Sequence, residues 1–121
     1  MPTIRAAGQE PGGCLVVLLD IFTSTHRAVI IAMADRYKLP AAYGSRAFAE
    51  DGGSLAYGAD ADEMYRGAAD YIDRILKGAK PADLPVQQPT KYELIINVKT
   101  AKSLGLTLSP YVLARADEII E

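Results

Sequence analysis

Gly12 to Lys38 reads GGCLVVLLDIFTSTHRAVIIAMADRYK. Two glycines open the stretch, and an unbroken apolar run from Cys14 to Leu19 follows them. A run this short, rich in Val and Leu and bounded by Gly-Gly and an aspartate, reads as a strand buried on both faces. Polar side chains then gather at Asp20, Thr23, Ser24 and Thr25 before the chain turns apolar again, with no proline until Pro40. That is a strand feeding a helix. In open α/β sheets ligands lie at the carboxyl ends of strands, so Asp20, Phe22 and Thr23 are the first candidates for function.

The same alternation continues on both sides. Met1 to Gly13 is a polar lead, with at most the tail of a helix. Strand Leu15–Leu19 is followed by a helix from Thr25 to Lys38, which Ser24 can cap. Pro40–Tyr43 reads as a second strand, Gly44-Ser45-Arg46 as the next corner, and Arg46–Glu50 as a short helix. Asp51-Gly52-Gly53 is a turn, and Ser54–Tyr57 a third strand. The clearest helix starts at Asp60: Glu63 three residues on makes a capping box, and Met64, Ala68, Tyr71, Ile72, Ile75 and Leu76 recur at helical spacing. Gly78 suits its end. The segment KPADLPVQQPT from Lys80 holds three prolines and is neither helix nor central strand. Tyr92–Val98 reads as a fourth strand, then a short helix capped by Thr100 and ending at Gly105. A last helix spans Tyr111–Ile120, entered through Ser109 and Pro110. The order β-α-β-α-β-α, linker, β-α-α predicts an α/β fold, a parallel sheet flanked by helices in three layers. Its parts are a lead at 1–13, an α/β ligand-binding lobe at 14–79, a hinge or linker at 80–91, and a carboxyl-terminal strand with helices at 92–121.

Composition narrows the function. The chain has 121 residues, half of them hydrophobic, and a net charge of −2. One domain is the natural count, and a chain of this size buries roughly two thirds of its unfolded surface. No basic block occurs, which argues against nucleic acid or an anionic membrane as partner. The single cysteine, Cys14, allows no internal disulfide and reads as a small buried hydrophobe. Met1 to Gly13 lacks the apolar segment of an export signal, and no run is long enough to span a membrane.

Catalytic constellations are missing as well. His26 is the only histidine, so no zinc site and no cofactor is expected. No Gly-x-Ser-x-Gly elbow, Walker loop or dinucleotide fingerprint is present. What remains is a polar and aromatic rim at the predicted strand ends: Asp20, Phe22, Thr23, Ser45, Arg46 and Tyr57. Asp20 there can hold an ammonium group, Arg46 can pair with a carboxylate, and Phe22 or Tyr57 can stack on an apolar ligand part. The plainer alternative is that each caps a helix or covers the edge of the core.

The residues also carry a family likeness. SLAYGADADEMYRGAADYIDRILKGAKPADLPVQQPTKYELIINVKTAKSLGL resembles the carboxyl-terminal part of ABC-importer substrate-binding proteins of the TrpX-like group. LVVLLDIFTSTHR and KLPAAYGSRAFAEDGG resemble the segments before it. The most specific pieces are Ile75–Gly78, Pro81–Val86, and Tyr92–Asn97 with Thr100-Ala101-Lys102. The resemblance implies a type I periplasmic-binding-protein fold with two Rossmann-like lobes, in which a small solute, amino acids among them, is trapped between the lobes and delivered to an ABC permease. Lys80–Thr90 would belong to the hinge. Asp20, Thr23, Ser45, Arg46 and Tyr57 would line this lobe's half of the cleft.

Family members are more than twice this long and begin with an export signal and a whole first lobe. The resemblance therefore implies a single, incomplete lobe, periplasmic by family or cytoplasmic if Met1 is the true start. The strand at Leu15 would lack its usual neighbour. A homodimer is expected, by edge-to-edge strand pairing or by exchange of the segment after the proline linker. Two alternatives stay open: a cytoplasmic ligand-sensing dimerisation module of the same fold, and a receiver-like signalling domain phosphorylated at Asp20. A receiver would need a carboxylate cluster around a divalent cation.

Overall fold

A computed structural model describes all 121 residues. In chain order the elements are α1 (Pro2–Ala7), β1 (Leu15–Val17), α2 (Ile21–Thr25), α3 (Arg27–Arg36), β2 (Ala41–Tyr43), α4 (Arg46–Glu50), β3 (Leu55–Ala59), α5 (Ala61–Leu76), β4 (Tyr92–Asn97), α6 (Val98–Ser103), α7 (Pro110–Ala114) and β5 (Glu118–Ile120). A 3₁₀ turn at Pro81–Asp83 interrupts the proline-rich segment. The strands form one five-stranded α/β sheet in the order β1-β2-β3-β4-β5. β1, β2 and β3 pair in parallel, as do β4 and β5. Between the two sets the direction reverses. Asn97 N–H donates to the Ser54 carbonyl and Asp60 N–H to that of Lys91, both at 3.0 Å, so numbers rise along β3 as they fall along β4. The sheet is mostly parallel, with one antiparallel junction.

The chain forms two compact units, Met1–Gly58 with Glu93–Glu121, and Ala59–Tyr92. In the first, the core joins Ile4 of α1, Ile30 and Ala34 of α3, Phe48 and Ala49 of α4, and Ala41, Tyr43, Ala56 and Ile95 of the strands. Tyr43 stacks on Phe48 with ring centroids 4.9 Å apart. Buried Asn97 satisfies both ends of its amide: it caps α6 by accepting from Thr100 N–H at 3.0 Å, and it donates to the Ala49 carbonyl at 3.1 Å. In the second unit Asp60 caps α5, accepting from the amides of Asp62 and Glu63. Tyr71 reaches across to the Pro85 carbonyl, and Glu63 accepts from Thr90 and from Lys91 N–H, so the extended segment is tied to α5 at two points. α5 buries none of its residues within the chain.

Several local expectations change. β1 is not buried on both faces: Leu15 and Val17 pack on the core, while Val16 and Leu18 are each 73% exposed. Only the face that carries Leu15 and Val17 packs against the core. Cys14 accordingly is exposed rather than a core hydrophobe. The helix after β1 is two helices with their junction at His26, and its cap is Asp20, not Ser24. The α5 cap is not a reciprocal box, because the Glu63 carboxylate is spent on Thr90 and Lys91. Asn97, not Thr100, caps α6. The last predicted helix stops at Ala114, and Glu118–Ile120 is the strand β5, drawn into the sheet by its pairing with β4.

Candidate functional site

The candidate site lies at the carboxyl ends of β1, β2 and β3. Two glycines let these ends close up. A Cβ at Gly44 would sit 3.0 Å from the Leu19 amide nitrogen, and one at Gly58 would collide with the Gly44 carbonyl oxygen. Gly44 N–H also donates to the Val17 carbonyl at 3.0 Å, which sets the end of β2 beside the end of β1.

Asp20 and Thr23 form a reciprocal capping box at the start of α2. Thr23 N–H donates to Asp20 Oδ1 at 2.8 Å, and Asp20 N–H donates to Thr23 Oγ1 at 3.1 Å. Thr23 Oγ1 in turn donates to the Leu18 carbonyl at 2.8 Å. Thr23 is thereby consumed by local structure. Asp20 keeps Oδ2 unbonded and faces solvent. Phe22 follows, 60% exposed, with its ring 4.3 Å from that of His26. His26 Nδ1 lies 2.8 Å from the Phe22 carbonyl oxygen, which fixes the pair. Ser45 begins α4 in extended conformation and its hydroxyl caps nothing. Tyr57 is 58% exposed, on the sheet face opposite Ala56.

Arg46 is held differently. Its guanidinium meets Glu93 through two bonds, Nε to Oε1 at 3.1 Å and Nη2 to Oε2 at 2.8 Å, then Glu118 at 2.7 Å and Glu50 at 3.3 Å. Glu93, then Glu118, hold the guanidinium charged well above its ordinary range. The cluster ties α4 to β4 and β5 and leaves a surplus of negative charge around one cation. The structure thus brings Asp20, Phe22, Thr23 and Ser45 to adjoining strand ends, and commits Arg46 to its own glutamates.

Sequence reasoning missed one concavity. In the second unit an open groove of about 910 Å³ runs between α5 and the extended segment, lined by Met64, Gly67, Ala68, Tyr71, Gln88 and Pro89 among others. Gly67 has open space where a Cβ would stand. A single glycine within a helical run was the only signal for it. Across the whole chain no three His, Cys, Asp or Glu side chains come together to hold a metal. No helix is long and apolar enough to cross a membrane.

Comparison with known proteins gives this geometry a context. Two solved structures are similar over 98% of the chain. One is a conserved domain protein from Vibrio cholerae, with 28% identity and a TM-score of 0.84. The other is an ABC domain from Streptococcus pneumoniae in complex with L-Trp, with 27% identity and a TM-score of 0.87. A ligand-free, open substrate-binding protein with adhesive properties from Clostridium difficile shares the fold at 18% identity and a TM-score of 0.67, again over 98% of the chain. The chain spans only 41%, 41% and 39% of the lengths of these three. No match is found among the curated proteins. Residues 3–120 match the model of a family described as ABC transporter substrate binding protein, and the chain belongs to that family.

Proposed function

We propose that the chain is the ligand-binding lobe of a solute receptor for an ABC-type importer, and that it takes an amino acid at the ends of β1, β2 and β3. It binds its ligand and does not transform it. The observation that carries the reading is the free Oδ2 of Asp20 beside exposed Phe22, at the strand ends where α/β sheets receive ligands. Asp20 takes the ligand ammonium, Ser45 offers an unused hydroxyl, and Phe22 and Tyr57 supply apolar contact. Arg46 and Thr23 shape the rim, with Arg46 available to a ligand carboxylate only if a glutamate lets go. The L-Trp complex of the Streptococcus pneumoniae neighbour makes tryptophan the first amino acid to test.

Residues 80–91 serve as a hinge towards a second lobe. The partner is an ABC permease and the site of action lies outside the cytoplasmic membrane. The same reading includes a homodimer. The receiver-like alternative is disfavoured, because Asp20 caps a helix and no carboxylate cluster surrounds it.

Isothermal titration with L-tryptophan, then with other amino acids, tests the proposal. Measurable heat that vanishes in Asp20→Asn supports it. Asn keeps an oxygen to cap α2 but loses the charge. No binding by any amino acid, or binding unchanged in Asp20→Asn, overturns this site.

A further inference from the structure

We infer that Arg46 is a positioning residue. It holds the corner Gly44–Arg46 so that the Ser45 hydroxyl stands beside Asp20 as a second acceptor for the solute ammonium. It does not itself take the solute carboxylate. The inference rests on the amino-acid reading above and assigns the parts that two neighbouring residues play in it.

Ser45 stands where helices are capped, yet its hydroxyl does not cap. It precedes α4 in extended conformation, φ −152° and ψ 142°, the backbone from which a serine side chain accepts an amide of the first turn. Here the amide of Phe48, third in the helix, donates to the Ser45 carbonyl at 3.1 Å instead. α4 has five residues, too few to hold its own place. It is fastened from outside. Phe48 and Ala49 are buried, Asn97 donates to the Ala49 carbonyl, and Arg46 grips β4 and β5 through Glu93 and Glu118. The side chain of the first helical residue thus does the work of a cap, and the Ser45 hydroxyl is left for another partner.

The corner is pinned on both sides of Ser45. Before it, Gly44 N–H donates to the Val17 carbonyl at 3.0 Å, which ties the corner to the end of β1, close to Asp20 in the chain. After it, the Arg46 guanidinium forks onto Glu93, whose side chain is only 13% exposed. Such a bidentate pair fixes direction as well as distance. A cation in the first turn also opposes the helix dipole, so the glutamates, not the helix, hold Arg46 there.

The same bonds keep Arg46 from the solute. Nε and Nη2 go to Glu93, and Nη1 goes to Glu118 and Glu50. All three nitrogens are engaged, and three carboxylates about one guanidinium repel a fourth. An ammonium suits that field. It carries three donors, so Asp20 Oδ2 alone does not satisfy it, and the Ser45 hydroxyl supplies a second acceptor.

Calorimetric titration of the full chain with L-tryptophan and with tryptamine, which lacks only the carboxylate, tests the inference. Ser45→Ala is expected to weaken both by about 3- to 10-fold, the range for one lost hydrogen bond, and to leave the melting temperature unchanged. Arg46→Gln is expected to weaken both by one common factor, and Ser45→Ala added to it to cost nothing further. A purely structural role would lower the melting temperature without this coupling. Arg46→Lys keeps the charge but not the fork, and is expected to weaken both by a smaller common factor. If Arg46→Gln does not fold, Arg46→Lys carries the comparison. Weaker L-tryptophan binding with tryptamine spared means that Arg46 holds the carboxylate, which overturns the inference and leaves the site standing. Additive losses, no loss, or a wild type that binds L-tryptophan and not tryptamine overturn it too. If neither compound binds the wild type, the inference falls together with the ligand reading beneath it.

Discussion

Three residues show how far local chemistry was readable. Asp20 was legible as a functional candidate because it stands where an apolar run ends. That it caps α2 was less so, since Ser24 has equal capping chemistry and only the fold decides between them. Asp20→Ala removes cap and charge together and is expected to cost about 1 kcal/mol of stability. Asp20→Asn is expected to cost a few tenths, measurable by urea unfolding. Arg46 was legible as a cation at a strand end, but its partners lie 47 and 72 residues away at Glu93 and Glu118. No pattern in a sequence announces such a meeting. Glu93 has only 13% of its side chain exposed. Arg46→Ala is therefore expected to destabilise the chain by about 1–3 kcal/mol, mostly through the carboxylate left without its partner, whereas Arg46→Lys restores only part. Tyr43 adds a pH signature, because burial pushes its hydroxyl up from 10.0 to about 12. The protein favours its neutral form, so that share of stability is whole below pH 10 and lost as pH rises through about 12. A spectrophotometric titration is expected to show one tyrosine ionising near pH 12, missing in Tyr43→Phe.

At the scale of elements, α4 and the proline-rich segment follow from sequence because short-range chemistry governs them. The strand β5 does not. Pro110 is a strong start signal for α7, and no glycine or proline after Ala114 marks its end. Glu118–Ile120 is strand only because β4 lies beside it. The break between α2 and α3 at His26 is silent for a similar reason. The start of α5 responds to acid. Lys91, then the amides of Glu63 and Asp62, hold the Asp60 carboxyl below its usual 3.8. A lowered folded value means stability that is full above pH 3.8 and lost as pH falls further. Asp60→Asn is expected to flatten the fall of the melting temperature below pH 3.8. Gly58 limits the approach of β2 and β3. Gly58→Ala forces its methyl into the Gly44 carbonyl and is expected to cost about 1–3 kcal/mol, with solute binding weakened as the strand ends spread.

For the molecule as a whole, the alternation of strand and helix carried the fold class but hid the antiparallel junction. Hydrophobic patterning tells which residues are strand and says nothing of direction. The two units also differ in what stabilises them. Ile95 and Ile96 are fully buried in the first, while α5 in the second buries nothing within the chain. Amide hydrogen exchange is expected to be slowest in β4 and orders of magnitude faster along α5.

The reversal between β3 and β4 makes Ala59–Tyr92 a detour. Gly58 stands opposite Glu93 in the antiparallel register, so the chain leaves and re-enters the sheet at one place. Remove the detour, join Gly58 to Glu93 through Asn-Gly, and what remains is an ordinary hairpin with matched ends. Such a miniature is expected to fold, with the ion cluster of Arg46 and the core around Phe48 intact. A cooperative thermal transition in the shortened chain would show that the sheet closes without Ala59–Tyr92.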